Sequence, residues 1–417
     1  MFKQHKKLFL KFVLILLATT SCSKAVEEEA LQSLLTTEKL YVTTGACNSG
    51  NGLTTYTTTA TRTLEAYNIY NGQHETTLLD YNSAGTFAGG THPKKMLDRG
   101  DYIFVLNENS TTTSERKIIK VPKSNPLNYS NYYLNPAVFN GAMNALNIDS
   151  EGSMLISKTT AIEKINTTPI RIPAGANPWV NSPGGNCATS NSFISSVLTL
   201  PPISGSTTGK IIYAHQGNTA ALNRIGIISS SGYYSASDCL TGLQINSITH
   251  TKATNVSPGP VAFNINSTSP TSMVLIPYSS GTITSKLIVS YSNGQTSNNN
   301  AGTYNLNHGL VIWDIVEPDT TTASLTNPTI LYDNTSFLFG VSTMAYNSND
   351  GYLYVATAGE PGAVNQTTNG YGYNIEKFAL NIDQDGHVTL NRVTYNNQPF
   401  IKGGAYTKCI SDLAIGK

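Results

Sequence analysis

Val341-Ser342-Thr343-Met344-Ala345-Tyr346, the polar turn Asn347-Ser348-Asn349-Asp350-Gly351, and Tyr352-Leu353-Tyr354-Val355-Ala356-Thr357 decide how this 417-residue chain folds. Two runs of apolar, β-branched and aromatic residues joined by a short Asn/Asp/Gly turn predict an antiparallel hairpin. After a long loop the pattern returns as Tyr373–Leu380, the turn Asp383-Gln384-Asp385-Gly386, and Val388–Val393. Together these four runs predict a four-stranded meander.

Working outward, strand-turn-strand units recur at Met143–Ile148 with Ser153–Ser157 and Ala161–Ile165, and at Asp101–Leu106 with Arg116–Val121. Further copies are Lys210–Ala214 with Arg224–Ile228, and Lys286–Ser290 with Leu310–Ile315. No convincing helix interrupts them. Four-stranded units repeated along a chain are the signature of a β-propeller, whose blades bury their faces against their neighbours. The two ends match this reading. Leu40-Tyr41-Val42-Thr43-Thr44 corresponds to a second strand, with Arg62–Tyr70 and Thr76–Tyr81 as third and fourth, while the missing first strand appears at the other end as Ile410–Ile415. Pairing the last strand with the first segment removes two open sheet edges. Stacked β-sandwiches would share the composition but not the matched ends. The expected fold is therefore all-β, a single propeller over 38–417. The length suits six blades, with seven as the alternative count. Region 174–335 is ambiguous because it holds extra candidate strands at Val261–Ile265 and Met273–Ile276.

The Tyr-Val strands Leu40–Thr44 and Tyr352–Thr357, with the short acidic-Gly turn Asp383–Gly386, resemble the YVTN and lactonase-like propeller repeats of bacteria. That resemblance covers two blades and implies the fold. No lactonase active site is matched residue by residue.

At the N-terminus, Lys3, Lys6 and Lys7 precede the apolar run Leu8–Leu17, broken only by Lys11 and followed by Ala18-Thr19-Thr20-Ser21-Cys22. A positive start, an apolar stretch too short to span a bilayer and small residues before a cut are the requirements of an export signal. The segment resembles bacterial lipoprotein signals, departing from them at Thr19. The resemblance implies a signal peptide at 1–21 and lipid on Cys22, with 22–37 as a tether. The expected location is the cell envelope, lipid-anchored to a membrane, with the outer membrane favoured. Cleavage without lipidation is the alternative.

The chain carries 26 Lys and Arg against 25 Asp and Glu, a net charge of +1. Losing four lysines with the signal leaves −3, which argues against nucleic acid as a partner. Cys47, Cys187, Cys239 and Cys409 remain, an even number without the paired spacing of a zinc site. Antiparallel pairing of 410–415 with the strand before Cys47 places Cys409 opposite Cys47. A disulfide is expected there and, by elimination, between Cys187 and Cys239. No cofactor or metal is expected.

Catalytic signals are sparse. Asn381–Gly386 and Asn147–Gly152 resemble the opening of a calcium loop, but Arg392 and Lys158 stand where the bidentate acid is required, so both are expected to be hairpin turns. The densest ionisable cluster is Thr91–Asp101, with His92, Asp98, Arg99 and Asp101, and a hairpin turn is expected at Asp98-Arg99-Gly100-Asp101. Tyr132, Tyr133, Trp179, Tyr233, Tyr234, Tyr371 and Tyr373 fall in or near expected loops, where rings could contact a sugar or a protein. The functional expectation is a non-catalytic scaffold that binds protein or glycan through its loop faces. The alternative is a lactonase-like hydrolase, with His92, Asp98 or Glu360 near a central channel.

Overall fold

A computed structural model describes residues 38–417 except 49–53, 57–61, 84–86, 110–111, 135–137, 139–142, 160, 173–178, 180–192, 207–208, 217–222, 230–242, 245–250, 253–268, 293–307, 321, 334–335, 339–340, 358–373, 395 and 405–409. The expected signal at 1–21, the expected tether at 22–37 with Cys22, and the candidate strand Val261–Ile265 lie outside the described residues. No helix among the described residues is long and apolar enough to cross a membrane.

The sheets form six antiparallel blades around one axis. From axis to rim, blade 1 is Ile410–Gly416, Lys39–Thr44, Thr63–Asn68 and His74–Asp80. Blade 2 is Thr91–Arg99, Tyr102–Asn109, Lys117–Pro122 and Ser130–Tyr133, and blade 3 is Met143–Ile148, Met154–Lys158, Ala161–Ile165 and Arg171–Ile172. Blade 4 is Phe193–Leu200, Lys210–Gln216, Arg224–Ser229 and Leu243–Gln244. Blade 5 is Ser269–Ser280, Ile283–Ser292, His308–Val316 and Ser324–Asp333, with Thr251–Lys252 added parallel to its outermost strand. Blade 6 is Thr343–Asn347, Tyr352–Thr357, Asn374–Ile382 and Val388–Val393. Six blades, not seven, accommodate the ambiguous middle region, because Met273–Ile276 belongs to the innermost strand of blade 5 rather than to a blade of its own.

The second strands explain why this sequence makes blades. Leu40-Tyr41-Val42, Ile103-Phe104-Val105, Met154-Leu155-Ile156, Ile211-Ile212-Tyr213, Leu287-Ile288-Val289 and Leu353-Tyr354-Val355 are all buried. They are continuous apolar runs rather than alternating ones because both faces of each blade are covered. Six apolar clusters result, each joining two adjacent blades. Met96, Leu146, Val197, Met273, Met344 and Leu413 take the same place in successive seams, each packing an innermost strand against the blade before it. Third strands vary more. Glu65, Glu163 and Glu376 hold equivalent buried positions opposite Val42, Ile156 and Val355. Each is answered from the outermost strand: Glu65 by His74 at 2.8 Å, Glu163 by Arg171 at 2.8 Å and Glu376 by Arg392 at 2.8 Å. Blade 4 has Gly226 there instead, since a Cβ would collide with the Tyr213 ring.

The ring closes as the two ends of the sequence imply. Lys39–Thr43 pairs in antiparallel register with Gly416–Asp412, and Thr44 lies opposite Ile410. Asp412 then ties the closing strand to both neighbours. Its Oδ2 accepts from the Met96 amide at 2.9 Å, and its Oδ1 accepts from Thr343 Oγ1 at 2.9 Å and Lys95 Nζ at 3.3 Å. Ser411 Oγ donates to the Pro93 carbonyl at 2.9 Å. At the far end Lys123 pairs with Asp98 and donates to the Lys417 carbonyl, and a Cβ on Gly416 would collide with the Asp98 carboxylate.

The register ends at Thr44, three residues short of Cys47. Cys47 instead lies in the short strand Ala46–Asn48, opposite Thr55 of Thr54–Tyr56. No disulfide is present among the described residues, and Cys187, Cys239 and Cys409 lie outside them.

Removing one member of a buried ion pair strands the other charge. Asp412→Ala is expected to lower unfolding stability by about 3 kcal/mol, and Asp412→Asn by less because its amide retains an acceptor. Urea denaturation of both variants measures this; equal and negligible losses would refute the closure role assigned to Asp412.

Candidate functional site

The innermost strands run side by side along the axis and each carries an irregularity near its start. The pairing shifts between Pro93 and Lys95, Met143 and Ala145, Ile194 and Ser196, Pro270 and Ser272, and across Ser411. In blade 6 the amide of Ser342 bonds the Ala356 carbonyl at 2.9 Å while Thr343 lies opposite Ala356. These are β-bulges, which locally re-aim side chains. After the bulge come Lys95, Ala145, Ser196, Ser272, Thr343 and Asp412, one from each blade, and all line a single axial cavity of about 270 Å³. Asp98, Asn144 and Asn147 add polar groups, and Leu97, Met273, Met344 and Ile415 add apolar ones.

The charged groups in this cavity are engaged. Lys95 Nζ donates to the Ser411 carbonyl at 2.9 Å and to Asp412, and Asp412 has its three donors. Asp98 is bound by Lys123. Burial pushes the Asp98 carboxyl above its ordinary range, and the Lys123 contact pulls in the opposite direction. Asn147 Nδ2 donates to the Val197 carbonyl at 2.8 Å, tying blade 3 to blade 4.

The structure separates the residues that the sequence groups together. Of His92 and Asp98, Asp98 lines the cavity and His92 does not. His92 is 2% exposed and hydrogen-bonds the Gly45 backbone. Burial, with the nearby Arg62 and Lys94 charges, lowers its pKa to about 3, so the ring is neutral. Lys94, at the bulge, turns to the buried Glu108 instead. Glu360, Tyr233, Tyr234, Tyr371 and Tyr373 lie outside the described residues. Trp179 is 3% exposed and packs in the seam between blades 3 and 4, and Tyr133 is buried in the seam between blades 2 and 3. Neither ring is offered to a ligand. Tyr132 is half-buried, edge-on to Phe104.

Both calcium-like stretches are hairpin turns. Asp149 Oδ1 accepts from the amides of Glu151 and Ser153 at 2.9 and 2.8 Å, and Lys164 lies 2.7 Å from its other oxygen. Asp383 likewise accepts from the amides of Asp385 and His387 at 3.0 and 2.8 Å. Asp383, Asp385 and His387 bring ligand atoms close together, but all three are exposed and their geometry is that of the turn. Asp98–Asp101 is also a hairpin turn, with Gly100 in the left-handed region at φ +64°.

Sequence reading missed Lys95, Asn144 and Asp412 as axial residues. The available signal was the placement of Lys95 and Asp412 in first strands, where a charge has no role in a seam.

No family model matches the chain, and no curated protein matches it either. Similar solved structures include a calcium-binding protein, regucalcin, from Agrobacterium tumefaciens strain C58, at 12% identity over 72% of each chain and a TM-score of 0.37. A gluconolactonase from Xanthomonas campestris is 10% identical over 70% of this chain and 72% of its own, with a TM-score of 0.33. A thermostable family-43 glycoside hydrolase is 13% identical over 66% of this chain and 88% of its own, with a TM-score of 0.35.

The neutral state of His92 has a signed consequence. Its folded pKa lies below the unfolded value of about 6.5, so the unfolded chain binds the extra proton first. Its contribution to stability is present above about pH 6.5 and is lost as pH falls toward 3. His92→Gln is expected to flatten the loss of stability between pH 6.5 and 4 in urea melts. An unchanged slope would contradict the assignment.

Proposed function

We propose that this chain is an exported lipoprotein, held at a bacterial membrane by lipid on Cys22 and most simply at the outer membrane, whose propeller is a non-catalytic scaffold that binds protein or glycan. The observation that carries this reading is the commitment of the axial charges. Lys95 and Asp412 are tied to each other across the blade 1–2 seam, Asp412 is tied further to Thr343 of blade 6, and Asp98 is tied to Lys123, so none of the three faces an open site unengaged. A general acid or base needs a free lone pair or proton aimed at substrate. These groups are spent on closing the ring.

The loops support the binding side of the proposal. The innermost strands begin, and the second strands end, at one face. The strands that flank 293–307 and 358–373 end and resume at that face, and the sequences of these two connections are dominated by Asn, Gly, Thr and Tyr. Those residue types give adaptable hydrogen bonding and large rigid contact area, the combination used by antibody loops. At the opposite face several connections are tight turns, such as 100–101, 281–282 and 348–351. A rigid scaffold with one variable face is a common division of labour between fold and function. The hydrolase alternative draws on Asp98, which lines the cavity with a raised pKa. It requires a lactone or ester to turn over and Asp98→Asn to abolish that turnover.

Two measurements test the proposal. Intact mass of protein taken from its native envelope should show lipid on Cys22 and a gain of about 4 Da on reduction for two disulfides; an unlipidated mass would remove the anchor. Affinity capture on the full mature chain should retain a protein or glycan partner. Replacing 358–373 with a short Gly-Ser turn should cut that capture at least tenfold, which is about 1.4 kcal/mol, with the unfolding midpoint little changed. Undiminished capture would place the contact elsewhere, and no capture at all would overturn the scaffold reading.

A further inference from the structure

The axial cavity is not six-fold symmetric in its polar groups, and the asymmetry points to a ligand. On blades 1, 2 and 6 its wall is made by Asp412, Lys95 and Thr343, joined by the bonds that close the ring. On blades 3, 4 and 5 the wall holds Asn144, Ser196 and Ser272. Two bulge residues serve seams: Ser411 Oγ donates to Pro93 O at 2.9 Å, and Ser195 Oγ to Pro270 O at 2.7 Å. Between blades 3 and 4 that work is done from the second strand, where Ser157 Oγ donates to Ile194 O at 3.1 Å. Asn144, at the bulge of blade 3, is thereby released. It is 8% exposed, it lines the cavity, and its Nδ2 is buried with no acceptor within hydrogen-bond distance among the described residues. A buried donor left unpaired is unfavourable, so an acceptor supplied from the cavity would recover that loss.

We infer that the axial cavity binds one neutral, hydroxyl-rich ring of monosaccharide size, with Asn144 Nδ2 donating to one of its oxygens. Size limits the ligand first. A volume of about 270 Å³ is the space of roughly nine waters at ~30 Å³ each, which admits a single six-membered polyol ring. Charge limits it next. Lys95 and Asp412 neutralise one another and Asp98 is matched by Lys123, so a charged ligand would enter without a counter-ion and keep its full desolvation cost. The lining defines the rest. Serine and threonine hydroxyls both donate and accept, as sugar hydroxyls require, and Leu97, Met273 and Met344 provide apolar surface for the C–H edge of the ring. The inference rests on the binding reading above but uses a different part of the molecule from the loop face.

The test is titration of the full mature chain with D-glucose, D-galactose, D-mannose, N-acetyl-D-glucosamine and myo-inositol, followed by saturation-transfer NMR and calorimetry, with D-glucuronate as the charged control. At least one neutral ring should bind saturably and D-glucuronate at least tenfold more weakly. Asn144→Leu should weaken the neutral ligand tenfold or more without lowering the ligand-free unfolding midpoint. The double variant Ser196→Ala/Ser272→Ala provides the same test should Asn144→Leu fail to fold. Absence of saturable binding up to roughly 10 mM, where an interaction is worth under 3 kcal/mol, or binding unmoved by both variants, would overturn the inference. Loss of sugar binding with partner capture intact would remove the cavity site alone; sugar binding without any partner capture would remove the loop-face reading alone.

Discussion

One carboxylate makes the ring a ring. Asp412 sits in a strand contributed by the C-terminal end of the chain, yet its three donors come from blades 2 and 6. The backbone ladder between Ile410–Gly416 and Lys39–Thr44 fixes the closing strand within blade 1. Asp412 and Ser411 then hydrogen-bond it to the blades on either side. A propeller without closure would expose the face of Lys39–Thr44 and the edge of its own last blade. Each of the other seams joins blades that follow one another along the chain. This one joins the chain's two ends and depends on side chains placed near the axis.

The apolar seams and the polar axis follow from the same geometry. Near the rim a blade touches only its neighbours, so second and third strands carry Leu, Ile, Val, Tyr and Phe on both faces. Near the axis six strands converge and backbone edges come close to one another. Large apolar groups at every position would overfill this space, and small hydroxyl residues fill it instead: Ser195, Ser196, Ser272, Thr343 and Ser411 all stand at or just after a bulge. A buried charge is tolerated there only when fully bonded, which is how Lys95 and Asp412 coexist.

The fold was legible because the second strands repeat. Burial on both faces leaves continuous apolar runs such as Leu353-Tyr354-Val355, readable without knowledge of tertiary structure, and the missing strand at one end has its counterpart at the other. The site was less legible. Thr91–Asp101 reads as one ionisable cluster, but strand alternation and a bulge disperse it: His92 to Gly45, Lys94 to Glu108, Lys95 to Asp412 and Asp98 to Lys123. A single inserted residue in a strand changes which side each following group faces, and no local pattern announces it. The convergence of Lys95, Thr343 and Asp412 is wholly tertiary. Trp179 was misleading for a related reason, since a loop position near a seam becomes core once the neighbouring blade arrives.

The proposed function draws on what is left free. The axis spends its charges on closure and keeps one amide nitrogen, Asn144 Nδ2, without an acceptor among the described residues. The most direct test of the central claim is native-state hydrogen exchange of the amides in 410–416. Closure by Asp412 requires them to exchange only through global unfolding, at the same free energy as the amides of Tyr352–Thr357. Exchange of the C-terminal strand by local opening, several kcal/mol below the global value, would contradict the account.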